Sequence, residues 1–197
     1  MLAVDKKAII RMRQPLLIFV SGAPGAGKST LAHSLAQYLR ILHIPRDEVL
    51  RGIEMTHGGP IDRREAVDAV YYPQLIQMLK ANISIVTDGT IYKGISERDI
   101  KRYLVPNAVG VNIHVRAKNE HQRFLERELQ REGWSAEWAH DYKKRLDEIY
   151  DQAVDPLDLG MPLIEVDATN GYLPLIPDIV REIRKIYTDT RLGIKVG

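Results

Sequence analysis

Leu16-Leu17-Ile18-Phe19-Val20-Ser21-Gly22-Ala23-Pro24-Gly25-Ala26-Gly27-Lys28-Ser29-Thr30 is the stretch that decides the fold. Its first six residues are an apolar, β-rich run suited to a strand buried on both faces. Gly22 to Thr30 then matches the phosphate-binding pattern G-x-x-x-x-G-K-[ST] at every fixed position. The spacing predicts a loop whose glycines turn successive backbone N–H groups inward, so Gly22, Ala23, Pro24, Gly25, Ala26 and Gly27 cradle a polyphosphate. Lys28 reaches the outer phosphates, Ser29 offers a hydroxyl to Mg²⁺, and the helix opening at Lys28-Ser29-Thr30 turns its positive end to the anion. Leu31, Leu35 and Leu39 recur at helical spacing beyond it. Strand, loop and helix in this order predict a nucleoside triphosphate site.

Working outward, an apolar run at 41–44 stopped by Pro45 reads as a second strand, and Arg46-Asp47 sits at its carboxyl end. In an open parallel sheet that edge binds ligands, which sets the Asp47 carboxylate across a crevice from the phosphate loop. Asp47 equally suits the N-cap of a following helix. A third strand over 83–88 ends in Asp88 and is followed by Gly89-Thr90. A fourth over 110–115 contains His114, read as a packed sheet residue because no partner at metal-ligand spacing accompanies it. A fifth runs over 163–167, followed by a turn at Thr169-Asn170-Gly171 and a closing helix over 175–187.

Between the strands, apolar positions over 61–81 trace helical faces, with Pro73 dividing the segment. Arg63 and Arg64 at its start read as a solvated first turn in preference to a grip on an anionic substrate. Ser96-Glu97-Arg98-Asp99 reads as a capping box opening a helix over 97–104. Arg123, Arg127 and Arg131 share one face of a polar helix over 119–132, and the spacing by itself favours a solvated surface. Trp134, Trp138, Tyr142, Leu146 and Ile149 form an apolar stripe read as core.

Composition bounds the rest. The 197 residues suffice for one domain, with 45% hydrophobic and 27% charged residues and a net charge of +2. That balance argues against a broadly basic nucleic-acid-binding surface. The chain has no cysteine, which excludes disulfides and thiolate chemistry. No run approaches the length of a membrane span, and residues 1–14, with Lys6, Lys7, Arg11 and Arg13, read as a frayed start and not a signal peptide. A cytoplasmic location is the expectation. The elements predict an α/β, three-layer P-loop NTPase fold, a five-stranded parallel sheet with helices on both faces, core over about 16–187.

These residues resemble the small P-loop kinases similar to the kinase domain of phage polynucleotide kinase, the AAA-like predicted kinases. The resemblance spans residues 16–187 and rests on Gly22 to Thr30, Arg46-Asp47, Asp88-Gly89-Thr90 with Ser96-Glu97-Arg98, and Arg123 and Arg127. It implies transfer of the γ-phosphoryl of ATP to an acceptor hydroxyl, with Asp47 as general base. Arg123 and Arg127 would lie in a helical lid over 118–150 that covers the donor phosphates. Acceptor contacts would come from Asp47, Arg51, Asp88 and Thr90, and metal contacts from Ser29 and Asp88. The family pattern carries an arginine three residues beyond its base, where this chain has Leu50 and then Arg51. The phosphate loop also looks like that of adenylate kinase, but Asp88-Gly89 continues Thr90-Ile91-Tyr92 and lacks the arginine that would hold a nucleoside monophosphate. A small-molecule acceptor is therefore expected ahead of a nucleic-acid hydroxyl or a nucleotide-driven ATPase or switch.

Overall fold

Leu16–Ser21 forms β1, the middle strand of a five-stranded, all-parallel sheet. The computed structural model describes residues 14–58, 61–90, 94–129 and 155–193. The other strands are β2 (Leu42–Pro45), β3 (Ile85–Asp88), β4 (Val109–Arg116) and β5 (Leu163–Asp167), in the order β2-β3-β1-β4-β5. Helices follow as α1 (Lys28–Leu39), α2 (Arg46–His57), α3 (Arg63–Ala66), α4 (Tyr72–Lys80), α5 (Ile95–Tyr103), α6 (Glu120–Leu129) and α7 (Ile176–Leu192).

Side chains alternate between the two faces of a strand, and β1 uses both. Leu16, Ile18 and Val20 pack with Leu31 and Leu35 of α1 and Ile179 and Ile183 of α7. Leu17 and Phe19 pack on the opposite face with Leu50, Tyr71, Leu75, Ile100 and Leu104. Two separate cores on one sheet make three layers, as the apolar run predicts. The same parity governs β3. Val86 joins the α1 face and Ile85 the other, so Thr87 turns toward Tyr71, whose hydroxyl it hydrogen-bonds, while donating 2.7 Å to the Ile44 carbonyl. Asp88 shares the parity of Val86 and turns toward the start of α1.

Several boundaries differ from the sequence reading. Pro45 lies inside β2, paired in register with Asp88; β2 is an edge strand, where a missing N–H costs no ladder bond. Helix α2 begins at Arg46 with Pro45 as its cap residue, so Asp47 sits in the first turn and is not the N-cap. The capping residue of α5 is Gly94, whose N–H donates 2.8 Å to Glu97 Oε2, so the helix starts before Ser96 and uses Glu97 in place of Asp99. The 61–81 segment is divided as expected from Pro73, which lacks the N–H that would bond the turn below. The break is taken up by a π-helical turn over Val67–Tyr71, whose end is marked by the Tyr72 N–H bonding back to the Val67 carbonyl. Arg131 and the Trp134 to Ile149 stripe lie outside the described residues, as do Lys6, Lys7, Arg11, Arg13, Ile91, Tyr92 and most of the 118–150 lid. Among the described residues no helix is long and apolar enough to cross a membrane.

Glycines mark where packing and not mere turning is required. A Cβ on Gly22, at φ +136°, would stand 2.1 Å from the Val115 carbonyl oxygen. Gly52, inside α2, has nothing within 4 Å of its would-be Cβ. We expect Gly22→Ala to lower stability by about 2–4 kcal/mol through clash and backbone strain, and Gly52→Ala to raise it by about 0.5–1 kcal/mol. Urea denaturation of the two variants beside the parent checks the opposite signs.

Candidate active site

The phosphate loop leaves β1 and is wedged against the neighbouring strand and helix. Gly22 faces the Val115 carbonyl, and a Cβ on Gly25, at φ +84°, would fall 1.9 Å from the Glu120 carbonyl oxygen. Gly27, at φ +94°, is the residue from which α1 starts. Its carbonyl accepts 3.1 Å from the Tyr172 hydroxyl, which ties the loop to the segment after β5. Lys28 is 7% exposed and its Nζ donates 2.8 Å to the Ala23 carbonyl. Burial pushes the Lys28 ammonium down to about 8, opposed by the nearby Asp47 and Asp88 carboxylates and reinforced by Arg127. The site therefore holds a desolvated cation close to losing its proton, a group that gains strongly from an arriving polyphosphate.

On the sheet side, Ser29 Oγ donates 2.6 Å to Asp88 Oδ2. His43 Nε2 lies 2.7 Å from Asp88 Oδ1, where its ring N–H meets the carboxylate. The register explains that contact: His43 pairs with Val86, two residues below Asp88 and on the same face. Asp88 is 4% exposed, and with both oxygens engaged it stands beneath the cleft near Ser29. A hydroxyl and a carboxylate are hard oxygen donors suited to Mg²⁺, which takes one or two protein oxygens and fills its shell with phosphates and water. Among the described residues no cluster of three or more His, Cys, Asp or Glu could hold a metal by itself. Ser29 and Asp88 thus fit a cation carried in with the nucleotide.

The cleft above has a volume of about 460 Å³ and is lined by the loop, Arg46, Asp47, Arg63, Thr90, Arg123, Phe124, Arg127 and Tyr172. Asp47 stands in it with Gly27 and Lys28, its side chain 57% exposed. Arg123 gives its guanidinium to the carbonyls of Ala168 (3.1 Å) and Thr169 (2.9 Å), bracing the turn after β5. Arg127 stacks over the Phe124 ring at 5.3 Å. Glu120, at the start of the same helix, accepts 2.9 Å from the Ala117 N–H, and burial raises its carboxyl above the usual range. Arg51 is not brought to this cleft. It points outward and pairs with Glu48 at 2.8 Å, a surface contact worth about 0.5 kcal/mol or less. His114 is buried in β4 against Ser21 Oγ at 3.3 Å, as expected of a sheet residue. Arg63 is exposed in the first turn of α3, as its solvated reading expects, and is paired with Glu54 at 2.9 and 3.2 Å, while its side chain also borders the cleft. Arg46, His43, Phe124 and Tyr172 were not singled out as site residues; only Arg46, beside Asp47 at a strand's carboxyl end, carried a positional signal.

A P-loop on the central strand of a parallel sheet with this cleft at the strands' carboxyl ends defines a nucleotide-binding α/β protein of the P-loop NTPase class. A family profile described as AAA domain matches residues 17–132, and the chain belongs to that family. Its fold is shared with a candidate kinase from Chloroflexus aurantiacus J-10-fl, at TM-score 0.69 and 24% identity over 88% of this chain and 96% of that one. A gluconokinase from Sinorhizobium meliloti 1021 superposes at TM-score 0.61 and 15% identity, covering 92% and 98% of the two chains. A stretch of 40 residues is 48% identical to an adenylate kinase of Chlamydia trachomatis serovar L2, covering 20% of this chain and 16% of that relative's length.

The state of Lys28 makes nucleotide binding pH-dependent. With its ammonium at about 8 in the free protein and raised by a bound polyanion, binding takes up a proton above that pH. Affinity for a non-hydrolysable ATP analogue should stay level from pH 7 to 8 and then fall by up to about tenfold per unit. Calorimetry in buffers of different ionisation enthalpy reads both, and Lys28→Arg should flatten the profile.

Proposed function

We propose that the protein is a phosphotransferase that moves the γ-phosphoryl of ATP to a hydroxyl of a small acceptor. The observation that carries this reading is the presence of the Asp47 carboxylate in one cleft with Gly27 and Lys28, close enough to act on the lysine's charge. A protein that used nucleotide only as a binding switch has no need of an acceptor-side base. The cleft volume lies in the range that holds small ligands. The kinase and gluconokinase of the same fold agree with it.

The loop N–H groups and Lys28 hold the β- and γ-phosphates, and Ser29 and Asp88 would hold the divalent cation. A divalent cation held there would supply positive charge to offset the charge that develops on the phosphates. Asp47 orients the acceptor hydroxyl and takes its proton as the new O–P bond forms and the bond to the bridging β–γ oxygen breaks, leaving ADP with that electron pair. Arg127, which lines the cleft, stabilises charge on the transferring group, and Arg123 braces the turn after β5. A nucleic-acid end draws less support: Leu50 stands where polynucleotide kinases carry an arginine, and Arg51 is paired away from the cleft.

Asp47→Asn keeps the shape and removes the base. Transfer should fall by roughly 10²–10⁴-fold with little change in ATP affinity, read by coupled ADP release across a panel of sugars, nucleosides and aminoglycosides. Full activity in this variant sinks the mechanism. Arg127→Ala should lower kcat by about 10–10³-fold and nucleotide affinity by much less, because its contact tightens as charge develops. Steady-state kinetics beside equilibrium binding separates the two effects.

A further inference from the structure

We propose that the acceptor is an anionic alcohol, one bearing a carboxylate or phosphate besides the hydroxyl, and that Arg46 is the residue that binds this anion. The inference rests on the phosphotransferase reading above and deepens it. Five cationic side chains, Lys28, Arg46, Arg63, Arg123 and Arg127, and one carboxylate, Asp47, line the cleft.

The lining cations differ in what already holds them. Lys28 gives a hydrogen bond to the Ala23 carbonyl, Arg123 two to carbonyls of the turn after β5, and Arg63 a two-pronged pair to Glu54. Arg46 has one contact with a charged group, Asp47 Oδ1 at 3.8 Å, beyond hydrogen-bond distance. Its side chain is nevertheless only 19% exposed. The stem runs close over Gly89, where an added Cβ would meet Arg46 Cδ at 3.1 Å and Cβ at 3.3 Å, tighter than ordinary contact. On the other side Arg46 lies close enough to Tyr71 and Tyr72 to favour their ionised forms, although burial raises both hydroxyls, that of Tyr72 to about 12.

A guanidinium on a largely buried stem, lining a cleft and without a hydrogen-bond acceptor among the described residues, is poised to take a planar or tetrahedral oxyanion through two parallel N–H···O bonds. It adjoins Asp47 in sequence and in space. An anion held there leaves a neighbouring hydroxyl of the same molecule beside the proposed base. The bound anion would also complete the partial pairing of Arg46, at no cost in unsatisfied donors.

The test uses the full chain saturated with a non-hydrolysable ATP analogue and Mg²⁺, so that the donor site is filled. Inorganic phosphate and acetate are then titrated separately by calorimetry, which distinguishes the two kinds of oxyanion. The expected result is a saturable second site for at least one of them, weakened about tenfold to a hundredfold in Arg46→Gln and partly kept in Arg46→Lys. Nucleotide affinity is measured in the same variants and should fall less than affinity for the second anion. Absence of a second site in the parent protein overturns the proposal, as does an equal loss of nucleotide and anion binding, which would assign Arg46 to the donor. Either failure leaves the Asp47 variant's transfer defect intact, so the phosphotransferase reading stands or falls separately.

Discussion

The contact on which this structure depends is the backbone-to-backbone approach of the phosphate loop to the β4–α6 connection. Gly22 and Gly25 leave no room for a Cβ against the carbonyls of Val115 and Glu120. A loop pressed this closely has one shape, and that shape fixes both the start of α1 at Lys28 and the burial of the lysine. Burial in turn sets the chemistry, since an ammonium stripped of water seeks an anion more strongly than an exposed one does.

A second constraint comes from strand parity. Because Asp88 shares a face with Val86 and His43, the carboxylate meets Ser29 and the imidazole at once. Three elements, β2, β3 and α1, are thereby held at their ligand-binding ends by one buried carboxylate. Thr87, one residue earlier, performs the corresponding service on the other face with Tyr71 and the Ile44 carbonyl. The carboxyl ends of the strands are thus stiffened on both sides of the sheet, and the groups that flank the cleft stand on fixed supports.

The cleft itself divides its cations between structure and ligand. Arg123 and Lys28 satisfy carbonyls of the loops that shape it, and Arg63 joins α3 to Glu54 of α2. Among the described residues Arg46 has no such hydrogen-bonded partner, and its stem runs close over Gly89. That asymmetry in hydrogen bonding, more than the number of positive charges, gives the acceptor end its proposed selectivity.

The residues from Leu16 to Thr30 determined the fold class by themselves, because an apolar strand, a glycine-spaced loop and a leucine-periodic helix are all local patterns of covalent neighbours. β1 and β5 were read to the residue for the same reason. The helix starts at Arg46 and at Ile95 were misread, since a cap is decided by which N–H finds an acceptor in space: Pro45 and Gly94 took the positions that Asp47 and Ser96 suited on paper. The presence of Asp47 in the crevice was legible from its position after a strand. The pairing of Arg51 with Glu48, the pairing of Arg63 with Glu54 at the cleft edge and the guanidinium of Arg46 without a hydrogen-bonded partner among the described residues were not. Each depends on partners distant in sequence or on the direction a helix faces, and long flexible side chains of one residue type look alike until tertiary packing assigns each its acceptor.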